Sequence, residues 1–211
     1  MKHDLLAARF LRWCCGEGAS ASEAGALWSE LSSLYQEAHR HYHTLAHIAA
    51  SLAELDATGE STPELEGAIW FHDVIYDPTR PDNEAASVIW FENATMAWIS
   101  PDSRQAIARL ISATDFQLPR TSLADEMLMV DIDLAILSED WSIYDAYRRS
   151  VRREYAHVPD DAFRAGRAKV MEHFLAQPVY STQRFAGREA RARENISREL
   201  AELGGDEPLA G

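Results

Sequence analysis

The chain has 211 residues, 46% of them apolar, with six Trp, seven Tyr and seven Phe, enough for one ordinary globular domain with a substantial core. Its 34 acidic against 20 basic side chains give a formal net charge of −14, which disfavours broad electrostatic attraction to a nucleic-acid polymer or an anionic membrane surface. The only cysteines are the neighbours Cys14 and Cys15, which cannot build a disulfide framework, and no run of about 18 apolar residues exists. The expectation is a cytoplasmic protein without signal peptide or membrane span.

Helical periodicity runs through most of the chain and sustained apolar/polar alternation is scarce, so the fold class expected is all-α. In chain order, helices are expected near 3–15, 21–38, 43–57, 63–75, 82–98, 101–114, 122–138, 141–157, 159–176 and 181–203. Ser-Ala-Ser-Glu at 20–23 and Thr62-Pro63-Glu64 carry the residue types that start helices, and Asp77-Pro78-Thr79-Arg80-Pro81 breaks the chain. No linker and no repeat of fixed period divides it, so a single helical-bundle domain of about ten helices is expected, with a core over about 30–200. The tail GGDEPLAG at 204–211 reads as frayed. The arginine-rich stretch 141–176 reads as a solvated helix face laced with ion pairs, with Arg148 and Arg152 as secondary candidates for gripping an anion.

Three places carry chemistry. Four of the eight histidines fall within 39–47, and with a helix beginning near Tyr42, His43 and His47 stand one turn apart on the same face. In Ile69-Trp70-Phe71-His72-Asp73-Val74-Ile75-Tyr76-Asp77 an imidazole and a carboxylate sit inside an apolar segment, where burial is costly unless they are paired or bind a metal. Adjacent helical residues differ by about 100° in direction, so on a helix this pair would converge only in a cavity that wraps around it. Met129 to Leu137 places Asp131 and Asp133 in a third apolar helix, with spacing unable to separate a ligand from a capping or orienting role.

Taken in order, a His, a His-Asp pair and a later Asp resemble the H…HD…D signature of the HD superfamily. The words RHYHTLAHI at 40–48, FHDVIYDP at 71–78, DNEAAS at 82–87, DIDLAIL at 131–137, REYAHV at 153–158 and AGRAKVMEHFL at 165–175 are similar to a bacterial subfamily of predicted HD-domain phosphohydrolases. The resemblance covers about 30–200 and implies an HD-type helical bundle holding a divalent metal and hydrolysing phosphate esters or nucleotides. His72 and Asp73 match the central pair. His47 matches the first ligand best, with His43 as the alternative or a neighbour of the site; Asp133 matches the last ligand slightly better than Asp131. Where the family often has a glycine, this chain has Val74-Ile75-Tyr76.

The 84 residues between His72 and His157 contain no histidine, whereas superfamily members with two or more metals, the iron oxygenases included, usually insert histidines there. One divalent ion is therefore expected, and the mixed N/O donor set suits Mn, Co, Ni, Fe or Zn, with Mg possible. Asp77 and Glu84 are candidates for acid-base catalysis, and Arg40 and His43 for contacting substrate. Thr114, Asp115 and Tyr76 are further candidates for the lining. The expected partner is a small phosphorylated molecule such as a nucleotide. A homo-oligomer joined through aromatics such as Trp90 and Trp98 is compatible with the sequence. The alternative to an enzyme is a non-catalytic HD module that binds a metal or nucleotide.

Overall fold

The computed structural model describes residues 3–205; the expected frayed tail lies outside them from 206 on. Among the described residues there are ten α-helices, two short 3-10 segments and no strand, so the chain has the all-α fold expected. None of the helices is long and apolar enough to cross a membrane. Contacts divide the chain between Met129 and Val130 into two compact units.

The first unit contains α1 (His3–Gly16), α2 (Ala21–Leu34), α3 (Leu45–Thr58), α4 (Pro63–Phe71), α5 (Asn83–Thr95), α6 (Pro101–Ser112) and the start of α7 (Ala124–Asp133). Polar caps start them: Ser20 and Glu23 form a reciprocal capping box, and Thr62 accepts from the Leu65 N–H with Pro63 in the first turn. After the acidic first turn of α4, which carries Glu64 and Glu66, the helix is apolar, and Leu65, Ala68, Ile69, Trp70 and Phe71 are all buried, as a central helix requires. Around it gather Phe10 and Trp28, whose rings lie 5.2 and 6.2 Å from Trp70, and Phe91, 5.0 Å from Phe71. The Trp70 contacts are edge-on, the geometry favoured by ring quadrupoles. Gly67 lets α1 and α6 approach α4: a Cβ there would stand 2.6 Å from Trp13 Cζ2 and 2.9 Å from Ile107 Cδ1. Trp90 and Trp98, which the sequence fits equally to an interface or to the core, are half-buried, with rings 6.0 Å from Phe71 and 6.1 Å from Trp13 respectively.

The second unit takes in the end of α7, a 3-10 turn (Leu134–Ser138), α8 (Trp141–Glu154), α9 (Asp160–Leu175), a second 3-10 turn (Ala186–Arg188) and α10 (Glu189–Leu203). Tyr144, Val151, Met171, Phe174 and Ile196 are buried in it. A nearly buried ion pair, Arg167 to Glu199 at 2.9 Å, is completed by the hydroxyls of Tyr144, which donates to Glu199, and Tyr147, which accepts from Arg167 at 3.1 Å. The arginine-rich face is ion-paired as expected: Arg148 and Arg149 to Asp145, and Arg152 to Asp160.

Several expected helices are shorter than their apolar patterns: α2 ends at Leu34 rather than 38, α5 at Thr95 rather than 98 and α8 at Glu154 rather than 157, and three differ in ways that shape the site regions. Helix α4 ends at Phe71 rather than 75, and α7 tightens into the 3-10 turn after Asp133. The last helix begins at Glu189, not 181. The physical reason is competition for backbone donors: Glu189 accepts the Val179 and Tyr180 N–H groups, and Asp131 those of Ser181 and Thr182, which holds this stretch out of a helix.

Candidate metal centre

His47 enters from the first turn of α3, which Thr44 caps by accepting from the Ala46 N–H. The central pair resolves the problem of adjacent directions by leaving the helix. His72 is the cap residue after α4, the Val74 N–H turns back to the Phe71 carbonyl at 3.1 Å, and the His72 and Asp73 side chains swing to the same side. The donors that meet are His47 Nε2 and His72 Nε2, 3.0 Å apart, with Asp73 Oδ2 3.1 Å from His72 Nε2 and 3.6 Å from His47 Nε2.

His72 Nδ1 lies 3.0 Å from the Ile69 carbonyl, and only the N–H tautomer can donate there. That bond fixes the ring and directs Nε2 toward His47 and Asp73, the arrangement that orients metal-bound histidines. Burial alone would raise the Asp73 carboxyl. The charges of His72 and His43, the hydrogen bond from His72 and the charge of His47 override it and hold Asp73 well below the ordinary carboxylate range, so it is ionised. Cis ligands each about 2.1 Å from one centre are separated by about 3 Å, so spacings of 3.0, 3.1 and 3.6 Å fit three donors on one face of a metal's coordination shell. The donor chemistry, two imidazoles and an ionised carboxylate, fits a divalent transition metal.

Arg40, expected as an anion clamp, is buried and holds this turn. Its Nη1 donates to the carbonyls of Asp73 at 2.7 Å and His43 at 3.2 Å, its Nη2 to Val74 at 2.9 Å, and its Nε to Glu37 at 3.1 Å. The rings of Tyr35 and Tyr76 flank the guanidinium at 5.1 and 5.6 Å. His43 is half-buried and stacks on Tyr76, ring centroids 4.0 Å apart, with His47 6.1 Å away. Asp77 lies in the turn after the pair, where its Oδ1 accepts the Thr79 N–H at 2.9 Å and hydroxyl at 2.7 Å; those bonds lower its pKa. Glu84 is half-buried in the first turn of α5.

Sequence reasoning missed the partners that pin the loop 72–77. Ser87 accepts the Ile75 N–H and donates to the Ile75 carbonyl, while Asn83 accepts the Asp77 N–H at 2.9 Å and donates to the Asp77 carbonyl at 3.0 Å. Both lie in DNEAAS, four residues apart on one face of α5, a spacing that was legible in the sequence.

In the second unit, Asp131 is wholly buried. Its carboxylate accepts the Ser181 N–H at 2.8 Å and the Thr182 N–H and hydroxyl at 2.7 and 2.6 Å. Asp133 is half-buried and is the last residue of α7. Thr114 and Asp115 follow α6, where the Thr114 hydroxyl donates to the Ile111 carbonyl and Asp115 accepts from the Gln117 N–H. No family model, curated protein or solved structure matches the chain.

Proposed function

We propose that the chain holds one divalent transition-metal ion through His47, His72 and Asp73, with Asp133 as the last ligand that the resemblance implies, and that it hydrolyses the phosphate ester of a small molecule such as a nucleotide. The observation that carries this reading is the buried triangle of His47 Nε2, His72 Nε2 and Asp73 Oδ2, with the His72 ring fixed from behind by Ile69. Asp131 is taken up by the backbone of 181–182, and the H…HD…D resemblance favours Asp133 as the last ligand. The activity class rests on the resemblance of the H…HD…D order to HD phosphohydrolases.

A divalent ion bound there would lower the pKa of a water and neutralise charge developing on a phosphoryl group. This chain's residues supply the rest. Arg40 fixes the turn that presents His72 and Asp73, the Asn83 and Ser87 side chains hold the loop behind it, and His43 on Tyr76 flanks the imidazoles. Glu84 is the remaining acid-base candidate, because Asp77 is engaged with Thr79. Metal-loaded protein should release phosphate from some member of a nucleotide and phosphomonoester panel, and His72→Ala should lose that activity together with the metal. Unchanged hydrolysis by His72→Ala would sink the mechanism.

A second reading, a metal- or nucleotide-binding module without turnover, is favoured by one observation. Arg40 and Asp77, which would have served as clamp and acid-base group, are both directed at the protein's own turns. A tight nucleotide complex with no turnover under any metal would select it.

A further inference from the structure

Arg and Lys donors stabilise a transferring phosphoryl group, yet the arginines that the sequence offers first for that role are already engaged. Arg40 donates through all three of its nitrogens to Glu37 and to backbone carbonyls. Arg152 does the same toward Asp160 and the carbonyls of Tyr155 and Val158. Arg148 is held between two carboxylates, those of Asp145 and Glu202. Arg167, in the second unit with Asp133, differs from them in three respects.

The first is how it is held. Its side chain is only 9% exposed, and its Nε and Nη2 donate to the two oxygens of Glu199 at 2.9 and 3.2 Å. Nη2 donates as well to the Tyr147 hydroxyl at 3.1 Å, and the guanidinium carbon stands 5.3 Å from the centre of that ring. Glu199 is fixed in turn by the Tyr144 hydroxyl, which donates to it. Groups on α8 and α10 thus lock the guanidinium before any ligand arrives, which removes the ordering cost of gripping one.

The second is what is left over. A guanidinium carries five N–H donors in a fixed plane. Three of those of Arg167 are used by Glu199 and Tyr147, and the pair on Nη1 donates to no described residue. Nη1 is not sealed in the interior either, because among the described residues Arg104 Nε is the buried side-chain nitrogen or oxygen without a partner. Nη1 therefore opens to solvent on an otherwise buried and immobilised cation. An arginine that served only to neutralise Glu199 would need no second edge.

The third is its neighbourhood. Burial raises the pKa of the Tyr147 hydroxyl, and the charges of Glu199 and Asp133 push it the same way against the cation of Arg167. The carboxylate that the resemblance makes the last metal ligand therefore acts on the same phenol that carries the guanidinium.

We propose that Arg167 grips a phosphoryl oxygen of the substrate through Nη1, an assignment that rests on the reading of the site as a phosphohydrolase centre that includes Asp133. The test is titration of the full-length protein with inorganic phosphate, before and after loading with Zn²⁺ and desalting. Calorimetry reads the affinity, and the nitrogen–proton resonances of the arginine side chains read the place.

Saturable binding at millimolar phosphate or below is expected, with a shift of the Arg167 resonance. Arg167→Lys keeps a cation against Glu199 but has no second nitrogen to present. It should fold, retain the ion and bind phosphate about tenfold or more weakly. If the variant does not fold, the Arg167 resonance of the native chain decides alone. No saturable phosphate binding, an Arg167 resonance unmoved at saturation, or equal affinity in Arg167→Lys would overturn the proposal and leave Arg167 a structural partner of Glu199. Loss of the ion together with phosphate in Arg167→Lys would overturn it too, since the effect would then run through the structure of the site. A native chain that retains no ion yet moves Arg167 with phosphate would contradict the metal reading alone. Retained metal with an indifferent Arg167 would contradict this proposal alone.

Discussion

Arg40 shows how much of the candidate site rests on a residue outside its triangle of donor atoms. One buried guanidinium satisfies three backbone carbonyls, two of them in the turn where His72 and Asp73 leave α4. Removing it leaves those acceptors buried and unpaired, so Arg40→Met should cost about 3 kcal/mol or more, read from urea unfolding. Arg40→Lys should not rescue it, because an ammonium cannot reproduce the planar fork. The residue type was legible in the sequence and its partners were not, since an Arg beside histidines reads equally as a clamp. The two cysteines give a separate check at the same scale. Burial pushes the Cys14 thiol up to about 12, while Cys15 is exposed. Alkylation of the native protein near pH 8 should label Cys15 alone, and Cys14 only after unfolding.

At the scale of elements, the helix starts were readable because their caps are local: Ser20 with Glu23, and Thr62 before Pro63, carry their own hydrogen-bond partners. The end of α4 and the start of α10 were not, because what stops the one and delays the other comes from far along the chain. Asp131 claims the amides of Ser181 and Thr182 across some fifty residues, a partnership no periodicity reveals. Asp131→Ala should free that stretch, lowering stability by about 3 kcal/mol and speeding hydrogen exchange at both amides. Gly67 is a similar case inside α4, where its place in a helix interior reads as a propensity loss. Its reason is the approach of Trp13 and Ile107, so Gly67→Ala should destabilise by about 1–3 kcal/mol despite the better helix former.

For the whole molecule, composition and periodicity were enough to name an all-α chain, because the apolar positions that define ten helices are local properties. The division into two units at Met129 was invisible, since α7 runs through it without a linker or a change of composition. The candidate site was partly legible: His72 and Asp73 stood out as polar groups in an apolar segment and His47 as one of a cluster of histidines, and the structure brings them within 3.0 to 3.6 Å. The acid-base and clamp roles were not, because hydrogen bonding in the turns occupies Arg40 and Asp77. If the site binds a metal, loading should also raise the melting temperature, since a ligand that binds only the folded state stabilises it.

The most direct measurement is metal content per chain after loading with Mn²⁺, Co²⁺, Ni²⁺, Fe²⁺ or Zn²⁺ and desalting, for the native chain and for His47→Ala, His72→Ala and Asp77→Asn. The account predicts one ion per chain in the native protein and in Asp77→Asn, and none retained by either histidine variant. No retained ion with any of the five metals, or the same content in His72→Ala as in the native chain, would contradict it.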